Sequence, residues 1–277
     1  MKKHVWKQAL IAISILMTTA WVAACQDDEE AALPGVAYGP EVNVGNGTAR
    51  SFVRLDETGA PTAIGFTMTR TALDNLPHEG AHKGFSYLLA LPAEKAQTPY
   101  DHISLDWMPH GHVPEGVYNV PHFDMHFYMV SQEERAEIQP GTPEMEKLPD
   151  TRFLPPNYLS TPGEGEPQMG KHWVDVTSPE LQGQPFTTTF IYGSYDGHVI
   201  FHEPMMAHAW LAAEPDTVIT LPQPEAVERS GFYPGKYSVT FDDEQQLFII
   251  SLDELTRKNQ PATIAGQLFQ GLEGGRN

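Results

Sequence analysis

Four of the chain's twelve histidines fall between His110 and His126, and Asp124 stands midway between His122 and His126. Imidazole is the commonest protein ligand for Zn, Fe, Cu and Ni, so this stretch has the composition of a metal site. In an extended strand, His122, Asp124 and His126 share one face while Phe123, Met125 and Phe127 share the other. His112 precedes a Pro-Glu-Gly turn ten residues earlier, and a two-strand arrangement brings it beside His122 and His126. Gly170-Lys171-His172-Trp173-Val174-Asp175 adds a fourth imidazole. The expected ligands of one divalent ion are therefore His112, His122, His126 and His172. Asp124 or Asp175 accepts the second N–H of a ligating ring and fixes its tautomer. Glu203, beside Pro204 at a strand end, is the candidate oxygen ligand, or the catalytic general base acting on metal-bound water. Zinc is the first choice of cofactor, because several histidines with a carboxylate and no sulfur suit it.

The same residues admit other accounts. A solvated strand face or a hydrogen-bond network would also place His122, Asp124 and His126 together, and His172-Trp173 is equally a packed aromatic pair. His110 reads as a surface neighbour; His110-x-His112-x-x-Glu115 resembles half of a cupin motif whose second half is missing. Trp107, Tyr118, Phe123, Phe127, Tyr128, Trp173, Tyr192 and Tyr195 either pack a β core or line an apolar pocket over the polar cluster. The metal-binding reading thus stands beside two alternatives. One is a non-catalytic small-molecule-binding protein, and the other is a self-assembling, homo-oligomeric structural protein of the envelope. Serine hydrolase chemistry is disfavoured because no G-x-S-x-G elbow occurs.

Residues 1–24 have a basic start at Lys2, Lys3 and Lys7, an apolar run from Ala9 to Met17, and Val22-Ala23-Ala24 before Cys25. That is the plan of a bacterial secretory leader. It resembles a lipoprotein signal, which makes Cys25 the acylated first residue of the mature chain and leaves no thiolate for a metal. Gln26 after the cysteine favours the outer membrane over the inner, by resemblance to lipoprotein sorting. Residues 25–34 then form the lipidated cysteine and an acidic tether, and 35–277 a single β-rich domain. Removing three lysines and no acid takes the formal charge from −19 to −22. Such a surface repels nucleic acid, so the expected partners are the membrane through the lipid anchor, another copy of the chain, a metal, or a small-molecule ligand of unknown identity.

Through the body the apolar period is mostly two, interrupted by turn signals. Arg50–Asp56 and Thr62–Thr69 flank a Glu57–Pro61 turn, and Thr71–Leu76 reads as a helical turn. Phe85–Leu91, Ile103–Trp107, His122–Val130, Phe186–Gly193 and Val199–Glu203 are strand candidates, and Lys236–Phe241 with Leu247–Leu252 form a last hairpin. Ser131 and Glu134 make a capping box. A Pro/Gly-rich loop insertion near 140–170 carries a short helix after Thr142-Pro143, and Pro224–Arg229 is a further helical candidate. The pattern predicts a mainly β fold, an antiparallel barrel or sandwich with short helices.

Three segments carry a resemblance: GNGTARSFVRLDETGAPTAIGFTMTRTALDNLP from Gly45, PHGHVPEGVYNVPHFDMHFY from Pro109, and MGKHWVD with TFIYGSYDGHVIFHEPMM from Met169 and Thr189. Together they resemble the bacterial extracytoplasmic domain family of unknown function founded on a Thermus protein under sigma-factor control, the TTHB-like domain. The resemblance spans most of the chain after residue 35. It implies an extracytoplasmic, mostly β domain able to form oligomers and brings no established activity.

Overall fold

Period-two patterning becomes strand wherever a face can be buried. The computed structural model describes residues 35–78 and 84–261, all within one compact unit, Leu33–Asn277. The leader, Cys25 and the whole tether lie outside the described residues. Strands β1 (Val36–Val44), β2 (Gly47–Leu55) and β3 (Pro61–Thr69) form an antiparallel meander. A second meander follows in β4 (Phe85–Ala90), β5 (His102–Met108) and β6 (His122–Tyr128). After helix α1 (Gln132–Ala136) come β7 (Tyr158–Ser160), β8 (Lys171–Asp175), β9 (Thr188–Tyr195) and β10 (His198–Ala207). The chain then continues through β11 (Thr217–Thr220), β12 (Gly231–Tyr233), β13 (Lys236–Asp242), β14 (Leu247–Asp253) and β15 (Thr256–Lys258).

These strands make two large antiparallel sheets, ordered β1-β2-β3-β14-β13-β11 and β4-β5-β6-β10-β9-β8-β7, and a small β12-β15 pair. Neither large sheet closes on itself, so of the two expected architectures the chain adopts the sandwich. Ile64, Phe66, Phe248 and Ile250 of the first sheet share one core with Ile103, Leu105, Phe123, Met125 and Phe127 of the second. Each such side chain stabilises the fold by roughly 1.5–3 kcal/mol on burial.

An antiparallel sheet commonly leaves its other face to water. Here that face of the second sheet is roofed by long connections, which pack on it as two small apolar clusters. Tyr118 and Phe186 meet Ile191 and Met205 in one, and Ile138 and Met145 meet Tyr128 and Phe201 in the other. Polar residues of β5, β6 and β10 on this face are consequently buried: Ser104, Asp106, His122, Asp124, His126 and Glu203 are each at most 3% exposed.

The capping box forms as expected, with Ser131 Oγ accepting from the Glu134 amide at 3.2 Å and Glu134 Oε2 from the Ser131 amide at 2.8 Å. Two expected helices do not. After Thr142 the chain makes successive i to i+3 turns that do not extend into a helix, and the Glu144 and Lys147 carbonyls also accept from the amides of Asp196 and Gly197. Pro224–Arg229 is irregular. Six residues are too few to nucleate a helix unaided, and the Ala226 amide is bonded to the Arg152 carbonyl. Among the described residues no helix is long and apolar enough to cross a membrane.

Candidate metal centre

Register decides which side chains meet. β6 lies between β5 and β10, with Asp106 directly opposite Asp124 and Ser104 opposite His126 on one side. On the other side Met205 stands opposite Asp124 and Phe201 opposite Tyr128, which sets Glu203 across from His126. His172 arrives from β8, where it faces Gly193 of β9, and Gly193 in turn faces Phe201 of β10. A Cβ at Gly193 would lie 2.0 Å from Phe201 Cε1, so only glycine lets that ring settle against the sheet. The ring then walls both His126 (4.8 Å between centroids) and His172 (5.3 Å). His112 comes from the roof rather than from a strand. Gly111 turns the chain at φ +65°, and the His112 amide is held by the Tyr118 carbonyl at 3.2 Å.

The expected four-histidine site separates into two groups of three. His112, His122 and Asp124 form one, and His126, His172 and Glu203 the other; within each, one ligand atom per residue lies within 4.8 Å of the others. In the first, Asp124 stands 2.9 Å from His122 Nε2 and 3.5 Å from His112 Nε2. In the second, Glu203 stands 3.4 Å from His126 Nε2 and 3.7 Å from His172 Nε2. These spacings are close to the roughly 3–4 Å expected between donors around one ion with bonds near 2.0–2.1 Å.

The ring tautomers follow from what the other nitrogens touch. His122 Nδ1 lies 2.7 Å from the Val120 carbonyl and His112 Nδ1 2.7 Å from the Val113 carbonyl. His126 Nδ1 lies 2.8 Å from Asp106 Oδ2. Carbonyls and carboxylates only accept, so each Nδ1 carries the hydrogen and each neutral ring presents a lone pair at Nε2. Among the described residues six buried side-chain polar atoms have no hydrogen-bond partner, and four of them are His122 Nε2, Asp124 Oδ1, His126 Nε2 and Glu203 Oε2. A buried lone pair 2.9 Å from a carboxylate oxygen is repulsive unless a cation stands between them. A proton on His122 Nε2 would serve only if the N–H pointed at Asp124, and the pair lacks hydrogen-bond geometry. A donor set of two imidazoles and a carboxylate fits a divalent metal ion.

The electrostatics of the two groups differ. Burial alone would raise Asp124, but the two histidines beside it hold its carboxyl well below the usual range. Burial lowers His112 less than its contacts with Asp124 raise it, so this ring ends above the ordinary histidine value. His172 is pushed down to about 3 by burial and by His126, which keeps its ring neutral and able to ligate. Burial, with Asp124 and Asp106 nearby, pushes Glu203 up. Both groups reach the outside through their partly exposed histidines, His112 (side chain 33% exposed) and His172 (17%).

Asp175 joins neither group; its carboxylate accepts from the Thr177 amide and hydroxyl, closing the turn after β8. The carboxylate that fixes a candidate ring, His126, is instead Asp106, itself held by the Ser104 hydroxyl at 2.8 Å. The alternation Ile103-Ser104-Leu105-Asp106-Trp107 carries that signal in the sequence, since it sets two polar residues on one face of a strand. Glu203 turns its two oxygens each to a histidine, Oε1 to His126 and Oε2 to His172. Trp107, Phe123, Phe127, Trp173 and Tyr192 belong to the core between the sheets, while Tyr118 and Tyr128 flank the two groups. His110 is exposed and contacts the His78 carbonyl. A cavity of about 480 Å³ bordered by Tyr158, Leu159 and Trp173 is lined by none of the six.

No curated protein and no solved structure matches the chain. A family match begins in the β2–β3 turn and ends within β5, so it takes in Ser104 and Asp106 and stops short of His112. Over residues 56–107 the chain matches the family model described as TTHB210-like, after the hypothetical protein TTHB210.

Proposed function

We propose that this chain is a lipid-anchored envelope protein whose β-sandwich domain binds a divalent metal, zinc first, through the histidines and carboxylates of β6, β8, β10 and the 109–121 roof. The leader with Val22-Ala23-Ala24-Cys25 supports the anchoring. The observation that carries the metal is the set of four buried, unpartnered donor atoms gathered at His122, Asp124, His126 and Glu203. Buried polar groups left without partners cost about 1–3 kcal/mol each, and a set of them facing one another calls for a cation. Two histidines and one carboxylate leave open coordination positions, where a bound water would be acidified.

The test is elemental analysis of the untagged full chain, extracted in detergent from its own membranes. Stoichiometric zinc or another divalent transition metal is expected, and chelation should lower the melting temperature. Cys25→Ser should leave the membrane fraction and keep its metal. A wild-type protein without metal, whose melting is unmoved by added Zn²⁺, would remove the metal reading; Cys25→Ser remaining with the membranes would remove the anchor.

A further inference from the structure

We infer that the site holds two metal ions, one in each triad: His112, His122 and Asp124 around the first, His126, His172 and Glu203 around the second. The inference rests on the metal-binding reading and goes beyond its single ion. Strand geometry is the first reason. His122 and His126 lie four residues apart on the same face of β6, so their Cα atoms are about 13 Å apart at roughly 3.3 Å per residue, and their rings project side by side. Two such rings do not converge on one ion whose donor bonds are only about 2.0–2.1 Å long. Asp124, the residue between them, pairs with His122, while His126 finds its carboxylate across the strand in Glu203.

The second reason is that each triad is complete by itself. Each has two imidazoles and one carboxylate, and each contains two of the four unpartnered buried atoms, His122 Nε2 with Asp124 Oδ1 and His126 Nε2 with Glu203 Oε2. Each also has its own orienting groups. Backbone carbonyls of Val113 and Val120 fix the rings of the first triad, and Asp106 fixes His126 of the second. An ion in either triad alone would leave the other's donors facing one another unpartnered. The third reason is charge. Asp106 and Asp124 are directly opposed across β5 and β6, with Glu203 on the next strand, and like charges directly opposed in a sheet are destabilising. A cation in each triad would offset that repulsion more evenly than one in either triad alone.

The experiment counts ions. The full chain in detergent is stripped with chelator, reloaded with Zn²⁺, passed through gel filtration and assayed for zinc per chain. The same is done for His112→Gln, His172→Gln and the double variant, each checked by near-UV circular dichroism. The double variant subtracts any zinc held by the acidic surface. Two ions are expected in the wild type and one in each single variant. One ion in the wild type overturns the inference and leaves the metal reading standing. No ion overturns both. Both ions lost from a single variant that keeps its circular dichroism also overturns the inference, because the triads would then not be separate sites.

Discussion

At the scale of single residues, the least conspicuous member of the site is Asp106, which touches no candidate ion. Its Oδ2 accepts the Nδ1–H of His126 and its Oδ1 accepts from Ser104, so it settles which nitrogen of His126 faces Glu203. Outer partners of this kind are typically worth about 10–100-fold in metal affinity. In Asp106→Asn the amide keeps one acceptor for two donors, and its NH₂ group would confront either Ser104 or the His126 N–H. Zinc affinity, read by competition with a chromophoric chelator, is expected to fall about 10–100-fold. The chelated protein should hold its stability better than that loss suggests, because one of the site's three buried carboxyl groups has been replaced by a neutral amide. Affinity equal to wild type would mean that Asp106 has no say in the ring's orientation.

At the scale of elements, the site depends on how the Phe201 ring of β10 lies over β9, and Gly193 leaves the room for it. Gly193→Ala places a methyl where the Phe201 ring now lies, and overpacking of this kind costs about 1–3 kcal/mol. Because the displaced ring walls both His126 and His172, zinc binding should weaken along with thermal stability. Adding Phe201→Leu should recover part of both losses, and strict additivity in the double-mutant cycle would rule out this coupling. The same contact shows what the sequence can and cannot reveal. The alternation of β6 is legible because two periods coincide there, histidine and aspartate on one face and Phe123, Met125 and Phe127 on the other. The partners of those residues are set by register, which no local pattern records: His172 and Glu203 could be named as candidates, but their union in one triad depends on the order β6-β10-β9-β8. Asp175 misled because a strand-end aspartate suits both a ligand partner and a turn cap. Pro224–Arg229 misled because its Val227 is held by the core rather than by helical bonding. Even β8 was hidden, since Lys171–Asp175 is too short and too polar to announce a strand.

For the molecule as a whole, the second sheet carries buried histidines on both faces, and these couple its stability to pH. His202 projects to the core side, away from Glu203, where its Nδ1 lies 2.7 Å from the Tyr100 hydroxyl and its ring packs on Tyr192 at 4.4 Å. Burial pushes its pKa down to about 3. The folded value therefore lies below the unfolded value near 6.5. A neutral His202 stabilises the fold fully above about pH 6.5, and this contribution is lost as pH falls toward 3, because the unfolded chain binds the proton and the native one does not. Inside that window the loss is about 1.4 kcal/mol per pH unit for one group. With chelator present His172, also lowered to about 3, adds a second proton to the slope; a bound metal should suppress its share. His202→Gln keeps an acceptor for Tyr100 and removes the titration. Urea unfolding of the chelated protein at pH 7, 6 and 5 should accordingly show stability falling less steeply in the variant than in the wild type, the difference growing toward about 1.4 kcal/mol per pH unit as pH drops below 6. Identical slopes would mean that His202 already accepts its proton within the folded protein, and that the core around Tyr100, Phe190 and Tyr192 admits a charge that its packing argues against.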